Sequence, residues 1–259
     1  MKGIVLAGGT GSRLGSLTRI TNKHLLPVGH LPMIYYPVLK LVEAGIEEIL
    51  VVTGTDHMGD VVGCLGSGKN FGCEFTYRVQ EEAGGIAQAL QLAKAFVGLS
   101  NMCVILGDNI FQSSLVSLVH AFDNEGMGAR ICLSNSIDPT RFGVAFMRDN
   151  EIVKLIEKPL HEDLAHADLE GLQYFAVTGI YLYTPWVFSI IEDLKPSARN
   201  ELEITDVNLS YQATKDLKAS LLPGWWTDAG TFDSLAAANH YVRSDSLTFN
   251  IPNSSISHR

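Results

Sequence analysis

A glycine-rich loop near the N-terminus has the residue types and spacing needed to bind phosphate. Residues 8–13 read GGTGSR and follow a short apolar segment, 2–6, that is typical of a buried strand. Glycines let a ligand approach the main chain closely, so exposed backbone N–H groups can hold phosphate oxygens. Lys23, just beyond the loop, could neutralise a polyphosphate. Taken alone, a lysine is more often a solvated surface residue.

The distribution of charge supports an anion site at this loop. No Asp or Glu precedes Glu43, whereas five Lys or Arg residues do. Since the whole chain has a formal net charge of −9, the residues from Glu43 onward sum to about −14. A cationic segment on an acidic protein indicates a local anion site. Nucleic-acid binding, which usually needs a broad basic face, is not expected.

Two aspartates occupy positions from which they could bind a divalent cation. Asp108 follows a buried-strand pattern at 102–106, and Asp228 lies between an aromatic strand pattern and a predicted helix start. Mg²⁺ prefers oxygen ligands, commonly one or two carboxylates together with phosphates. Each aspartate alone also suits a turn or a helix cap. Two such acids beside a phosphate-binding loop favour a metal site over either alternative.

Two better-known nucleotide motifs are excluded by particular residues. A dinucleotide fingerprint needs a third glycine and, about 20 residues later, an acid, but Leu14 stands at the glycine position and no acid precedes Glu43. A nicotinamide dehydrogenase is therefore disfavoured. Residues 63–69 nearly match a P-loop, but Asn70 replaces the required Ser or Thr and a helical pattern precedes them.

Other polar residues have simple structural explanations when taken one at a time. Glu157 and Lys158 end a strand pattern as an adjacent pair of opposite charges, where Pro159 stops the pairing. Arg199 suits an exposed loop. The histidines show no metal-ligand spacing and are interpreted as structural or solvated. The four cysteines form no CxxC pair and are interpreted as reduced core residues of a cytoplasmic protein.

Alternating strand and helix patterns in the first half must position these groups. Strands are predicted at 2–6, 48–53, 74–79 and 102–106, and helices at 33–44, 58–65, 86–96 and 113–122. This alternation predicts an α/β fold built of βαβ units around a mostly parallel sheet. Ligands of such sheets bind beyond the C-terminal strand ends, so the glycine loop and Asp108 should converge on one crevice.

The second half has a different pattern. It predicts strands at 129–136, 142–147, 152–157 and 174–183, followed by helices at 202–213 and 232–243. We expect a β-rich extension that closes over the crevice, with 160–173 as an exposed loop or short helix. The segment after Ser244 is predicted to be a frayed tail. No apolar run reaches the ~18 residues of a membrane span, and no signal-peptide pattern precedes the first strand.

These motifs, in this order, resemble those of the sugar-nucleotide pyrophosphorylases, most closely the glucose-1-phosphate thymidylyltransferases. The resemblance runs from Lys2 to about Arg243. Its most specific part is LAGGTGSRL at 6–14 combined with Lys23 and the LPV that follows at 26–28. The other matching segments are Gln80 with 84–89, 107–109, 141–144, 157–159, 177–179, 199–206 and 226–231.

The resemblance implies a Rossmann-like nucleotidyltransferase fold, with a mostly parallel central sheet flanked by helices and a smaller, β-rich, sugar-binding extension. It implies one domain at 1–243, in which 1–128 bind mainly nucleotide and 129–230 mainly sugar, before a tail at 244–259. The family assembles as dimers or tetramers, so a homo-oligomer is expected, without nucleic-acid or membrane partners. The chain lacks the further C-terminal helices that help form a regulatory nucleotide site in longer members, so feedback control by that route is not expected.

The implied reaction joins dTTP and α-D-glucose 1-phosphate into dTDP-glucose and pyrophosphate, with Mg²⁺ held by Asp108 and Asp228. The residues implied to bind nucleotide are Leu6, Gly8, Gly9, Thr10, Gly11, Arg13, Lys23, Gln80 and Gly85, of which Gln80 and Gly85 read the base. The residues implied to bind the sugar phosphate are Asn109, Gly143, Glu157, Lys158, Val177 and Arg199, of which Lys158 and Arg199 grip the phosphate. The residues implied to be catalytic are Arg13, Lys23, Asp108, Lys158 and Asp228.

Two alternatives stay open at this point. One is a uridylyltransferase that prefers UTP; the exact hexose is open as well, because a glucose site and its epimers differ by one hydroxyl and few contacts. The other is a catalytically silent nucleotide-sugar sensor. Retention of both aspartates and of Lys23 and Lys158 argues against the sensor, which would not need both metal-binding acids.

Overall fold

The computed structural model describes residues 1–135 and 138–245, which contain thirteen β-strands and nine α-helices. The strands are β1 (Lys2–Ala7), β2 (Pro27–Val28), β3 (Leu31–Pro32), β4 (Glu48–Gly54), β5 (Glu74–Gln80), β6 (Met102–Leu106), β7 (Asn109–Phe111), β8 (Ala129–Ser134), β9 (Gly143–Arg148), β10 (Glu151–Glu157), β11 (Gln173–Tyr183), β12 (Leu217–Leu221) and β13 (Trp226–Asp228). The helices are α1 (Tyr35–Glu43), α2 (Met58–Leu65), α3 (Ile86–Gln91), α4 (Lys94–Val97), α5 (Val116–Glu125), α6 (His161–Leu169), α7 (Val187–Asp193), α8 (Ile204–Ala213) and α9 (Phe232–Ser244). Residue 136, the last of the strand predicted at 129–136, and residues 246–259 of the predicted tail lie outside the described residues.

Nine strands form one sheet in the order β10-β9-β11-β6-β1-β4-β5, with β8 paired to β11 and β12 paired to β8. β1 runs parallel to both β4 and β6, and β4 runs parallel to β5. Val5 packs on one side with residues of α1, α2 and α5, whereas Ile4 packs on the other with residues of α3, α7 and α8. Burial on both faces explains why β1 is a continuous apolar run. The α/β fold with a largely parallel central sheet, predicted from the sequence, is confirmed.

The register of β1 aligns the two loops that carry the predicted chemistry. Leu6 lies opposite Val52 of β4 and opposite Leu106 of β6. The backbone N–H of Gly107 donates to the carbonyl of Leu6 at 2.8 Å. The loops after β1 and β6 therefore leave the sheet side by side, at the edge where ligands of such sheets bind.

The long strand β11 joins the second half of the chain to this sheet. It runs antiparallel to β6, β8 and β9, and its pairing with β8 changes register between Val177 and Tyr181. Such irregularities bend a strand and redirect its side chains. This one lies where β11 passes from β6 to β9, beside the loop that follows β6.

A short antiparallel ribbon of β7 and β13 brings the two predicted metal-binding acids together. Asp228 lies opposite Asn109, and the N–H of Ala229 donates to the carbonyl of Asp108 at 2.8 Å. Asp228 was predicted to lie after an aromatic strand, but it is the last residue of β13 itself. The strand extends to Asp228 because its partner Asn109 begins β7 directly after Asp108.

Several boundaries differ from the sequence prediction. The helix predicted at 86–96 is divided into α3 and α4, because the N–H of Ala93 bonds to Leu90, three residues back, which tightens the turn. The prediction missed α7, whose short apolar run does not distinguish helix from strand. It also missed β12, which alternates without a strong apolar face. Within the segment 160–173, predicted as an exposed loop or short helix, residues 161–169 form α6, whose Leu164 and Ala167 are buried in a small cluster with residues of β9.

Two properties of the chain accord with its composition. No helix within the described ranges is long and apolar enough to span a membrane. All four cysteines are free thiols, as predicted. Cys103 and Cys132 are buried in the core, whereas Cys64 and Cys73, also predicted to be core residues, are only partly buried. Burial raises the pKa of Cys103 to about 12, so this thiol remains protonated near neutral pH.

Candidate active site

One cavity of about 530 Å³ opens where the loops after β1 and β6 leave the sheet. All but one of the predicted site residues line it, the exception being Gly11. The predicted residues on its wall are Leu6, Gly8, Gly9, Thr10, Arg13, Lys23, Gln80, Gly85, Asp108, Asn109, Gly143, Glu157, Lys158, Val177, Arg199 and Asp228. The structure thus brings together residues from both halves of the chain, while their individual roles remain predictions.

The glycine loop is shaped by close contacts on its inner side. Gly11 has φ of +68°, and a Cβ there would lie 2.9 Å from the Cβ of Lys23. A Cβ on Gly8 would collide with the side-chain oxygen of Gln80. Neither position accepts a side chain without displacing a predicted ligand-binding residue. Gly11 therefore shapes the loop although it does not line the cavity.

Lys23 and Asp108 form a tight ion pair at the centre of the cavity. Lys23 Nζ lies 2.5 Å from Asp108 Oδ2, and each side chain is 11% exposed. Burial alone would raise the pKa of Asp108, but the opposing charge of Lys23 and hydrogen bonds from Lys23 and Asn109 bring it below its ordinary value. The Asp108 carboxylate is therefore ionised at neutral pH.

Arg141 pairs with the second aspartate. Arg141 Nη2 lies 3.1 Å and 3.0 Å from the two carboxylate oxygens of Asp228. Burial and the neighbouring charge of Asp108 raise the pKa of Asp228, against the opposing effect of Arg141. Burial is thus the main reason for the raised pKa, with repulsion from Asp108 adding to it, while the cation Arg141 partly offsets both effects.

The two aspartates suit a divalent cation shared with a polyphosphate. A Cβ placed on Gly230 would lie 3.2 Å from Asp228 Oδ2 and 3.4 Å from Asp108 Oδ2, so both oxygens face the same small volume. Within residues 1–135 and 138–245, no cluster of three or more His, Cys, Asp or Glu side chains is arranged to hold a metal. Two carboxylates with open positions for phosphate oxygens are a donor set typical of Mg²⁺.

Gln80 lies at the opposite end of the glycine loop, with its amide orientation fixed by neighbours. Its Nε2 donates to Gln88 Oε1 at 2.7 Å and to the carbonyl of Gly85 at 3.3 Å. This leaves Oε1 as a hydrogen-bond acceptor beside Gly8. The backbone of Gly84 and Ala87 is tied in turn to Leu202, before α8, which joins this end of the cavity to the second half of the chain.

The second half supplies a polar wall that includes the carboxylate of Glu157. Glu157 Oε2 accepts a hydrogen bond from Thr205 Oγ1 at 2.7 Å. A Cβ on Gly143 would lie 3.2 Å from each of these two oxygens, so the wall is closely packed at this point. Val177 and Tyr181 of β11 line the same region. A wall that combines apolar side chains with a few fixed polar groups is typical of a site for a small ligand such as a sugar.

Two exposed cations flank Glu157. Lys158 is 47% exposed, and its Nζ lies 3.8 Å from Glu157 Oε1. Its backbone has φ of +48°, an uncommon conformation for a lysine. Arg199 is 42% exposed and faces three carboxylates, those of Glu157, Glu201 and Glu203. Both cations line the cavity and are accessible to an anionic ligand.

Sequence reasoning assigned no role to several further cavity residues, among them Arg141 and His24. Arg141 lies inside a matching segment, 141–144, and its charge within that segment was the available signal. His24 follows Lys23 and is 1% exposed, which agrees with its structural interpretation. Burial and the charge of Lys23 lower the pKa of His24 to about 3, so its ring is neutral.

The tautomer of His24 follows from its contacts. Asn22 Oδ1 accepts from the backbone N–H of His24 at 2.9 Å, so this atom is the amide oxygen. The ring nitrogen Nδ1 lies 2.7 Å from the same oxygen and must therefore carry the proton. Nε2 is then an unprotonated acceptor on the cavity side, near Gly107.

Comparison with known sequences gives one family. The family model described as nucleotidyl transferase matches residues 2–245. A Haloferax volcanii protein named low-salt glycan biosynthesis nucleotidyltransferase Agl11 is 40% identical over 247 residues, 95% of this chain and 67% of that protein. The glucose-1-phosphate thymidylyltransferase of Neisseria meningitidis is 39% identical over 247 residues, 94% of this chain and 83% of that protein.

Solved structures give the same result for the fold. A Bacillus anthracis protein, described as a candidate glucose-1-phosphate thymidylyltransferase in complex with a sucrose, has a TM-score of 0.88 and 52% identity. That match covers 96% of this chain and 97% of the other. A UDP-glucose pyrophosphorylase in complex with UDP-glucose has a TM-score of 0.78 and 26% identity, covering 94% of this chain and 98% of the other.

Proposed function

The chain belongs to the nucleotidyl transferase family, and we propose that it transfers the thymidylyl group of dTTP to α-D-glucose 1-phosphate. The observation that carries the proposal is a single cavity with a glycine loop, two cation-paired aspartates and a polar wall with two accessible cations. The names of relatives about 40% identical over most of the chain support dTTP and glucose 1-phosphate as the substrates.

The reaction needs neither a protein nucleophile nor a general base. A phosphate oxygen of the sugar phosphate, already anionic, attacks the α-phosphorus of dTTP, and the bond from that phosphorus to the bridging oxygen of pyrophosphate breaks. One phosphoanhydride bond replaces another, so the reaction is reversible. The obstacle is the approach of two polyanions, and the task of the protein is alignment and charge stabilisation.

The nucleotide end has the cations for this task. Arg13 and the backbone of the glycine loop would hold the triphosphate, and Lys23 would contact phosphate near the reacting atom. Asp108 and Asp228 would hold Mg²⁺, which would neutralise phosphate charge and polarise the phosphoryl oxygens. Positive charge fixed where negative charge develops stabilises the transition state without reorganisation at the moment of reaction.

The sugar end complements this arrangement. Lys158 and Arg199 would bind the phosphate of the sugar phosphate. Glu157, held by Thr205, would accept hydrogen bonds from hexose hydroxyls, while Asn109, Gly143 and Val177 line the rest of the wall. Because Asn109 directly follows Asp108, the sugar site adjoins the proposed metal site.

The base end favours a pyrimidine with a protonated N3. Gln80 Oε1 is an acceptor, because Nε2 is already engaged with Gln88 and Gly85. Thymine and uracil carry an N3–H donor, whereas the N3 of cytosine is an acceptor and would be repelled. Gln80 therefore separates dTTP and UTP from CTP, and it does not by itself separate dTTP from UTP.

The proposal also assigns different binding roles to the two halves of the chain. Residues 1–128 would bind mainly nucleotide and residues 129–230 mainly sugar, within one unit spanning 1–243. A homo-oligomer, dimer or tetramer, accords with the resemblance on which the function rests.

The direct test is release of pyrophosphate. The purified chain is incubated with Mg²⁺, glucose 1-phosphate and each of dTTP, UTP, CTP, ATP and GTP in turn. We expect the highest rate with dTTP, a lower rate with UTP and none with the purines. Faster turnover with UTP would make the chain a uridylyltransferase. Absence of pyrophosphate with every pyrimidine, despite nucleotide binding, would instead support a silent sensor.

A further inference from the structure

Arg199 is held mainly by one of its three acidic neighbours. Arg199 Nε lies 3.2 Å from Glu203 Oε1, and Nη2 lies 2.9 Å and 2.8 Å from the two oxygens of that carboxylate. Glu157 and Glu201 approach the same nitrogen only to 3.6 Å and 3.7 Å. Glu203 alone thus makes hydrogen bonds with the guanidinium, while the other two act through charge.

Glu203 is itself held in place before it meets Arg199. Its side chain is 13% exposed and its Oε1 accepts a hydrogen bond from Ser197 Oγ at 2.7 Å. The residue directly precedes α8, which fixes its backbone. Ser197 Oγ also accepts from the N–H of Arg199 at 3.2 Å, so the loop 197–203 closes around the carboxylate. The carboxylate is therefore a rigid support for a long, otherwise exposed side chain.

The geometry leaves a defined edge of the guanidinium for a ligand. Glu203 accepts from Nε–H and, through both of its oxygens, from Nη2. Within the described residues Nη1 makes no hydrogen bond, so its two protons remain available to the oxygens of a phosphate. Without Glu203 the Arg199 side chain would sample many rotamers. Binding of the sugar phosphate would then be weakened by the entropy lost when Arg199 is ordered.

We propose that Glu203 is a positioning residue that fixes Arg199 so that its free edge meets the phosphate of the sugar phosphate. The inference rests on the proposed function, because it takes Arg199 as the phosphate-binding cation. Glu203 also lines the cavity, but the proposed effect does not depend on its touching the substrate. It acts by lowering the entropy cost of holding Arg199 in the orientation that binds the phosphate.

A purely electrostatic role for Glu203 predicts the opposite result. A carboxylate near a phosphate-binding site repels the phosphate, so its removal would tighten binding of the sugar phosphate. Positioning predicts that its removal weakens binding. Glu201 is the matched control, because it lies 3.7 Å from the same nitrogen without a hydrogen bond. The signs of the two effects separate the two roles.

The experiment measures KM for glucose 1-phosphate and KM for dTTP in Glu203→Gln, Glu201→Gln and the unaltered enzyme. In Glu203→Gln we expect KM for glucose 1-phosphate to rise about tenfold, from loss of a charge-assisted fork, with KM for dTTP unchanged. In Glu201→Gln we expect KM for glucose 1-phosphate to stay the same or fall. An unchanged or lower KM for glucose 1-phosphate in Glu203→Gln would overturn the proposal, as would an equal rise for both substrates.

Arg199→Ala distinguishes failure of this inference from failure of the proposed function. If Arg199→Ala leaves KM for glucose 1-phosphate unchanged, the assignment of Arg199 is wrong and the inference fails with it. If Arg199→Ala raises that KM but Glu203→Gln does not, only the positioning inference fails. We expect Glu203→Gln to add little in the Arg199→Ala background, since both act through the same contact.

Ser197→Ala is a milder variant for the case in which Glu203→Gln does not fold. It removes the hydrogen bond that Ser197 Oγ donates to Glu203 and the weaker one that it accepts from the N–H of Arg199, and it leaves the charge of the carboxylate in place. We expect a rise of about threefold in KM for glucose 1-phosphate, with KM for dTTP unchanged. An unchanged KM for glucose 1-phosphate in this variant would contradict a rigid support by Glu203.

Discussion

Lys23 Nζ lies 2.5 Å from Asp108 Oδ2, across 85 residues of chain. Arg141 and Asp228 form a second pair of the same kind 3.0 Å apart. Each acid proposed to hold Mg²⁺ is therefore neutralised by a cation that lines the same cavity. A divalent ion that binds both acids must displace both cations, and a polyphosphate arriving with the ion offers them new partners. We expect Mg²⁺ and dTTP to bind cooperatively for this reason.

Asp108→Asn removes a charged ligand of the proposed metal and leaves Lys23 without its acid. We expect turnover to fall by at least ~100-fold, the effect of losing one electrostatic contact in a transition state. Pyrophosphate release at saturating substrates measures the loss. The control is Asp123→Asn. Asp123 is exposed and accepts a hydrogen bond from Asn101, so this variant should keep normal turnover. Near-normal activity of Asp108→Asn with Mg²⁺ would refute the assignment.

Arg141→Gln should change the affinities for metal and nucleotide in opposite directions. Without nucleotide, Mn²⁺ should bind about three- to fivefold more tightly, because a partly exposed ion pair worth up to about 1 kcal/mol no longer competes for Asp228. Affinity for dTTP should fall, because a phosphate partner is lost. Titrations followed by Mn²⁺ EPR and by calorimetry measure the two affinities.

Arg148→Gln is the control for this prediction. Arg148 is exposed and bonds to the carbonyl of Glu170, away from the cavity. It should change neither affinity. Weaker Mn²⁺ binding by Arg141→Gln would show that Arg141 supports the metal-binding conformation of Asp228 instead of competing with the metal.

Gln80→Ala should relax the choice of base more than it slows the chemistry. The acceptor Gln80 Oε1 is lost, so the preference for dTTP over dCTP should fall about tenfold, while kcat with dTTP changes less. The ratio of kcat/KM for the two nucleotides is the measurement. Gln173→Ala, on the exposed end of β11, should leave that ratio unchanged. An unaltered base preference in Gln80→Ala would overturn this assignment.

His24 should make the free energy of unfolding depend on pH between about 3 and 6.5. Its pKa is about 3 when folded and 6.5 in its unperturbed state, so the unfolded chain binds more protons between these values. Stability is then lost as pH falls below 6.5, with a slope approaching about 1.4 kcal/mol per pH unit. Urea unfolding between pH 4.5 and 6 should show a shallower slope for His24→Gln. Equal slopes in the two proteins would mean that His24 is not buried in its neutral form.

The sequence predicted the parts of the site that depend on local chemistry. The glycine loop, Lys23, Asp108 and Asp228 are recognisable because phosphate and metal binding require particular residue types at particular strand ends. The family inferred from these motifs is confirmed. The parallel strands were also predictable, since burial on both faces makes them continuous apolar runs.

What the sequence did not reveal depends on contacts between distant segments. The pairing of Arg141 with Asp228 joins residues 87 positions apart, and no local pattern encodes it. The role proposed for Glu203 was missed for a different reason: its contacts with Ser197 and Arg199 are local in sequence, but they depend on how the loop 197–203 folds around its carboxylate. Asp228 was predicted to follow a strand, but it ends one, because the ribbon with β7 is defined only by tertiary pairing.

The most direct test of the paired aspartates is the anomalous signal of Mn²⁺ in crystals grown with dTTP. We expect a peak about 2.1 Å from a carboxylate oxygen of both Asp108 and Asp228, with Lys23 and Arg141 turned onto phosphate oxygens. A metal bound by phosphates alone, with Lys23 still on Asp108 and Arg141 still on Asp228, would contradict the two-carboxylate site.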